Sequence, residues 1–345
     1  MKKYLLPEVG NFYKANLHLH SNLSDGQLSP EEIKKLYMEH GYSIVAYTDH
    51  EVIIPHNDLT DDNFLAITSY ELAVNESNDL PWPKVKTVHL NFYAKDKNNI
   101  VPPCFNEAKI WDRISGTKPY VTDEMRANKY DFKYCAECIN EVVAKANAAG
   151  FLVSYNHPVW SLQNREDYID YKGIWGVEVY NNECYKMGYL DTTTPLDDLL
   201  RAGERVRTLA TDDSHSASSS CGGYVMVKAD KLEYNSIMTA LENGDFYSST
   251  GPEIRSLTFE DGVIRIECSD VKDVIVNTDK RISLRSTAEA GKYINCREFD
   301  MKYWMNESEK LPEKMRDDSY FRITVITEDG KKAWTNAYFY GDIVK

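Results

Sequence analysis

Residues 29–50 read Ser-Pro-Glu-Glu-Ile-Lys-Lys-Leu-Tyr-Met-Glu-His-Gly-Tyr-Ser-Ile-Val-Ala-Tyr-Thr-Asp-His and spell one helix followed by one strand. Ser29 supplies an N-cap, Pro30 the first helical position and Glu32 the capping-box carboxylate, and Gly41 ends the helix. The apolar run from Ile44 then predicts a strand that finishes on Asp49-His50. Working outward, the same texture recurs. Upstream, Phe12–Ser21 predicts a strand carrying His18 and His20. Downstream, strands are expected over 64–74, 84–94, 151–158, 173–182 and 205–215, with helices over 136–149 and 195–203. The segment 222–230 and a helix over 234–244 close the region. Such alternation predicts an α/β fold, a β/α barrel over residues 1–251. Asp96–Tyr134 is irregular and rich in Pro, Asn and Lys, so 96–134 is read as an insertion over the barrel mouth rather than as core.

After Gly251-Pro252 the pattern changes to short alternating runs with Asp-Gly turn signals at 261–262 and 329–330. These predict a small all-β, sandwich-like domain over 252–345.

The composition is that of an ordinary globular chain, 42% hydrophobic and 27% charged, which argues against disorder. A formal net charge of −14 disfavours a nucleic-acid backbone as partner, because that contact needs clustered Lys and Arg. Seven cysteines, an odd number with a single CxxC at Cys135–Cys138, suggest reduced and mostly buried thiols. Pro7 interrupts the first apolar run too early for a signal peptide, and no long apolar stretch follows. A cytoplasmic protein without membrane contact is the expectation.

His18 and His20 stand at i and i+2, on one face of a strand. Asp25 follows in an Asp-Gly turn, His50 ends its strand, Glu71 lies near the end of 64–74, and His89 lies in 84–94. His157 ends 151–158, and Asp213 with His215 ends 205–215. In a β/α barrel the carboxyl ends of the strands meet at one mouth. Six of the eight histidines and three carboxylates are therefore expected at one site, too many donors for one tetrahedral zinc and suited to two or three ions. Nitrogen and oxygen donors without cysteine point to Zn, Mn or Fe.

The series His18-Leu-His20, Ser24-Asp25-Gly26, Thr48-Asp49-His50, Ser69-Tyr70-Glu71, Asn156-His157-Pro158 and Asp212-Asp213-Ser214-His215 resembles the polymerase-and-histidinol-phosphatase (PHP) metallohydrolase family over roughly residues 12–250. That resemblance implies a distorted seven-stranded β/α barrel, two or three divalent metals and hydrolysis of phosphate esters. It places ligands at His18, His20, Asp25, His50, Glu71, His89, His157, Asp213 and His215, with Glu71 bridging. The family pattern ends in Asp-x-His, which favours Asp213 over its neighbour Asp212. The stretch 243–254 and Ala333-Trp-Thr-Asn336 resemble a PHP subgroup that includes hydrolases of carbamates and aryl esters.

The expected chemistry is attack on phosphorus or carbonyl by a metal-activated hydroxide, with His50 or His215 as acid and Glu71 in the catalytic set. A phosphoesterase on a small phosphorylated molecule is the first reading. A carbamate, ester or amide hydrolase is the second, a non-catalytic binding or regulatory module the third, and a proofreading nuclease the remainder. His56, Arg165 and Asn181 are candidate substrate contacts. Glu178 is either a buried partner of a ligand imidazole or an alternating polar residue, and His40 is a packed or helix-end histidine. Trp111 and Tyr120 are read as packing residues.

Overall fold

The computed structural model describes residues 2–77 and 79–344. The capping box forms as the sequence dictates. Ser29 Oγ accepts the Glu32 N–H at 3.2 Å, and the Glu32 carboxylate accepts the Ser29 N–H at 2.8 Å. The helix Pro30–Glu39 buries Ile33 and Tyr37 and ends where Gly41 turns left-handed, at φ 77°. His40 lies exposed at this end with Nδ1 2.9 Å from the Leu36 carbonyl, the helix-end alternative.

The strands, in chain order, are β1 (Lys3–Tyr4), β2 (Asn11–Asn16), β3 (Ile44–Tyr47), β4 (Leu65–Asn75), β5 (Thr87–Ala94), β6 (Phe151–Asn156), β7 (Gly176–Asn181), β8 (Arg207–Thr211) and β9 (Tyr224–Ala229). They continue as β10 (Phe246–Ser249), β11 (Ile254–Glu260), β12 (Val263–Val271), β13 (Asp273–Thr278), β14 (Ser283–Thr287), β15 (Ile294–Asp300), β16 (Tyr320–Ile326), β17 (Lys332–Thr335) and β18 (Tyr338–Phe339). One large mixed sheet runs β14-β13-β16-β17-β10-β9-β2-β3-β4-β5-β6-β7-β8, with β18 beside β16. A second, four-stranded sheet has the order β1-β11-β12-β15.

The expected seven-stranded β/α barrel is met only in part. The run β2 to β8 is present, but no regular ladder joins β8 back to β2. The two ends meet through the isolated parallel bridge Leu19–Ser214, where the His20 N–H donates to Ser214 O at 2.9 Å and the Asp213 N–H to His18 O at 2.8 Å. Nor is the run wholly parallel. β4 returns as β5 through residues 76–86 without an intervening α-helix, so β5 lies antiparallel to both β4 and β6.

The inserted segment does more than cover a mouth. Phe105, Ile110, Ile114 and Met125 are buried in the same cluster as Val88, Leu90 and Val153. Its apolar residues thus join the core that β5 and β6 share with the helix Ala136–Ala148.

The C-terminal region has the expected sandwich core. Leu257, Phe259, Ile264 and Ile266 of one sheet pack against Val274, Val276, Phe321 and Ile323 of the other. Asp261 and Gly262 make the tight β11–β12 turn with φ of 49° and 82°. It is not all β, since helices Lys302–Glu309, Glu313–Asp317 and Tyr340–Ile343 lie within it. It also shares strands with the rest of the chain: β1 pairs with β11, and β17 pairs with β10. All seven cysteines are unpaired, four of them buried.

Candidate metal centre

The loops after β2, β3, β6 and β8, together with residues inside β4 and β5, bring all nine predicted ligand residues into one cluster. His18 and His20 follow β2, and their rings are 5.4 Å apart. Glu71 sits inside β4, 1% exposed, at the centre. Its Oε1 lies 3.2 Å from His18 Nε2, 3.1 Å from His89 Nδ1 and 3.6 Å from His157 Nε2. Its Oε2 faces a different pair, 3.4 Å from His20 Nε2 and 3.3 Å from His50 Nδ1. Asp213 Oδ1 lies 3.1 Å from the Nε2 of both His18 and His20, and its Oδ2 lies 3.5 Å from His157 Nε2. Asp25 completes the far side, 3.6 Å from His20, 3.7 Å from His50 and 3.5 Å from His215.

His89 arrives by a route the sequence pattern does not reveal. It lies near the amino end of β5, and only because β5 runs antiparallel does that end meet the carboxyl ends of its neighbours. His157 and Asp213 adopt left-handed backbone, φ 29° and 52°, where side chains other than glycine are strained.

Three groups of donors lie close enough together to hold an ion: His18–Glu71–His157, His18–His20–Asp213, and His20–Asp25–His50–His215. The donor chemistry fits divalent metal. Among the described residues, His18 Nε2, His20 Nδ1, His50 Nδ1 and Glu71 Oε2 are buried without a hydrogen-bond partner, although buried polar atoms are normally paired. Buried donors left unpaired and close to one another are what a bound ion would satisfy.

Electrostatics follow from this crowding. Burial pushes the Glu71 and Asp213 carboxyls up, but the surrounding imidazoles outweigh it and hold both well below the usual range. Burial pulls His20 down, yet its hydrogen bond to Asp213 and the nearby Glu71 and Asp25 carboxylates raise it to about 10. His18 is likewise raised, burial being outweighed by Asp213, Glu71 and Glu178. His50 is driven the other way, to about 3, by burial reinforced by the neighbouring His20.

A second layer orients the clustered side chains. Glu178 Oε1 lies 2.7 Å from His18 Nδ1, and its Oε2 accepts the His157 N–H at 2.9 Å, so it is a buried partner of a clustered imidazole rather than an alternating surface residue. Asn156 donates to Glu71 Oε1 at 2.9 Å. Sequence reasoning missed it, although it immediately precedes His157. Asp212 stays out of the cluster. It accepts the N–H groups of Cys221, Gly222 and Gly223 at 2.7–2.8 Å, the Tyr37 hydroxyl at 2.7 Å, and Asn16.

The proposed substrate contacts divide. Asn181 donates to Asp213 Oδ2 at 3.2 Å and to Glu178, so it holds a carboxylate of the cluster in place. His56 packs on Tyr47, with ring centroids 4.6 Å apart. Arg165 is exposed and 3.8 Å from Asp198, on the outer surface. Neither is brought to the cluster by a contact. Trp111, read as packing, instead lies with its ring 5.1 Å from that of His50, and Trp160 lies 4.9 Å from His157 and 5.7 Å from His89.

No family model matches the chain, and no curated protein matches it. Solved structures do. One is a two-domain protein from Bacteroides vulgatus containing a predicted PHP-like metal-dependent phosphoesterase, at 13% identity and TM-score 0.42, covering 97% of this chain and 98% of that one. Another is a lesion-specific endonuclease from Pyrococcus furiosus, at 17% identity and TM-score 0.40, covering 68% of this chain and 56% of that one. A third is an amidohydrolase from Chromobacterium violaceum, at 16% identity and TM-score 0.41, covering 67% of this chain and 96% of that one. Among the described residues no helix is long and apolar enough to cross a membrane.

Proposed function

We propose that the chain is a PHP-type metal-dependent hydrolase, a phosphoesterase acting on a small phosphorylated molecule. The observation that carries this reading is Glu71, whose two oxygens face two different sets of imidazoles, the arrangement a carboxylate needs to bridge two ions. Two or three Zn, Mn or Fe ions fit the donors. When bound, such ions supply Lewis acidity and a water acidic enough to attack at neutral pH.

The chain's own residues then have separable tasks. Glu71 and Asp213 fix the spacing of the donors and offset positive charge. Glu178 fixes the His18 ring through Nδ1, leaving Nε2 free to ligate. His50 has both nitrogens turned to carboxylates, Glu71 and Asp25, which suits a ligand. His215 is 29% exposed at its side chain, the most open of the six imidazoles, and is the better placed to hand a proton to a leaving group.

The ester, carbamate or amide reading has one observation in its favour: indole rings border the ligand set, and among the described residues no Lys or Arg ion pair involves Asp25, Glu71 or Asp213. Protein reconstituted with each metal and assayed on phosphate esters, carboxylic esters, carbamates and a DNA oligonucleotide separates these readings. Turnover of phosphate esters with strong inhibition by inorganic phosphate is expected. Turnover confined to carbonyl substrates, weakly inhibited by phosphate, would replace the first reading with the second.

A further inference from the structure

The inserted segment is fastened to the metal cluster on both sides of Trp111. On one side, Lys109 donates to the Ala73 carbonyl and lies 3.3 Å from Glu51 Oε1. Glu51 is 3% exposed and takes left-handed backbone, φ 65°, directly after His50. Its N–H donates to Glu71 O at 2.7 Å, and its carboxylate accepts the Ala73 N–H at 3.2 Å. A buried carboxylate in such a place needs a counter-charge, and the inserted lysine supplies it. On the other side, Gly116 approaches the Leu23 carbonyl so closely that a Cβ would come within 2.6 Å of it, and Leu23 belongs to the loop that carries Asp25. Trp111 is held between these two fastenings.

The indole is therefore a fixed wall. Its ring stands 5.1 Å from His50 while the residue keeps 40% of its surface exposed, a large share for an aromatic beside a buried imidazole. An exposed indole costs hydration free energy unless something apolar covers it.

We propose that Trp111 contacts substrate, its indole receiving a flat apolar group joined to the reacting centre, and that the Lys109–Glu51 pair is the positioning device that holds it there. The inference rests on the proposed metal cluster being the reaction centre, and it deepens that reading by naming the substrate's non-reacting part. Lys109 and Glu51 act through Trp111 and touch no substrate.

The test compares phenylphosphonate with methylphosphonate on the metal-loaded full chain by calorimetry. Both offer the same oxyanion, so their affinity ratio reads the apolar contact alone. The ratio is expected to be about tenfold or more in favour of phenyl. It should collapse towards unity in Trp111→Ala, be largely restored in Trp111→Phe, and fall in Lys109→Met, with metal content by elemental analysis unchanged throughout. Should Lys109→Met fail to fold with Glu51 left unpaired, the double variant Glu51→Gln/Lys109→Met removes both charges and is expected to lose the preference too. Equal affinities in the unaltered protein, binding of neither phosphonate, or a preference that survives in Trp111→Ala would overturn the proposal. A metal-loaded protein that discriminates the phosphonates yet hydrolyses no phosphate ester would instead count against the phosphoesterase reading alone.

Discussion

Glu71 is the residue on which the cluster turns, because among the described residues it is the one carboxylate that touches imidazoles from five separate positions. Glu71→Gln keeps its shape and removes its charge. Metal content is expected to fall by at least one equivalent and turnover by about a hundredfold or more, with circular dichroism unchanged. Near-wild-type metal and turnover in one preparation would remove Glu71 from the site. The proton balance gives a second expectation. In the metal-free chain His18 and His157 are raised and His20 is raised to about 10, so these rings keep their protons to higher pH than a free imidazole does. Ligation needs them neutral, so metal binding expels protons and tightens as pH rises. Calorimetric titration in two buffers of different ionisation enthalpy should show this release, and identical heats after buffer correction would refute it. The sign for stability runs the other way. Raised imidazoles favour the metal-free fold below about pH 6.5 and lose that contribution as pH climbs towards 10, so added metal should stabilise most in that window.

At the level of elements, the sequence was legible where local chemistry alone decides. The helix Pro30–Glu39 follows from Ser29, Pro30, Glu32 and Gly41, and the β11–β12 turn from Asp261-Gly262. That nine candidate histidines and carboxylates would converge was legible for a similar reason: a histidine or carboxylate in or just after a strand is visible as a pattern. What was not legible depended on pairing partners. Nothing in residues 84–94 states that β5 runs antiparallel, so His89 reached the cluster by the opposite end of its strand from the one expected. The inserted segment looked like a lid because its residues lack periodicity. Its buried side chains nonetheless share a core with β5 and β6, a fact that only the tertiary arrangement supplies. The neighbour of Trp111 was hidden for the same reason, since a tryptophan in an irregular stretch carries no sign of what it faces. Arg165 differs in the other direction: it is near His157 in sequence, yet it starts the short helix Arg165–Tyr168 and lies exposed beside Asp198.

For the whole molecule, the change of texture at Gly251-Pro252 suggests two domains, while the contacts across it point to one cooperative unit. β10 pairs with β17, and β1 pairs with β11. Tyr320, Trp334, Ala337 and Phe339 are buried in the core that also holds β4 to β7, and Leu5 and Leu6 are buried in the C-terminal core. Asn336 is the pin between them. Its Oδ1 accepts the Thr208 N–H at 2.9 Å, and its Nδ2 donates to the Gly244 and Phe246 carbonyls at 3.0 and 3.1 Å. Arg322, 5% exposed, forms an ion pair at 2.7 Å with Asp197 on the helix Thr194–Arg201. Full burial of each large apolar side chain is worth about 1.5–3 kcal/mol, and a domain's whole stability is about 5–15 kcal/mol. Losing Tyr320, Trp334 and Phe339 from the N-terminal core therefore removes about as much as that part has to spare, before the unpaired edge of β10 is counted. The metal-free chain should unfold in one calorimetric transition whose van't Hoff and calorimetric enthalpies agree. A chain ending at Gly251 should be recovered only unfolded or aggregated. Two resolved transitions, or a truncated chain that folds and binds metal as the full chain does, would show instead that the parts are independent and that the shared strands and Asn336 contribute little.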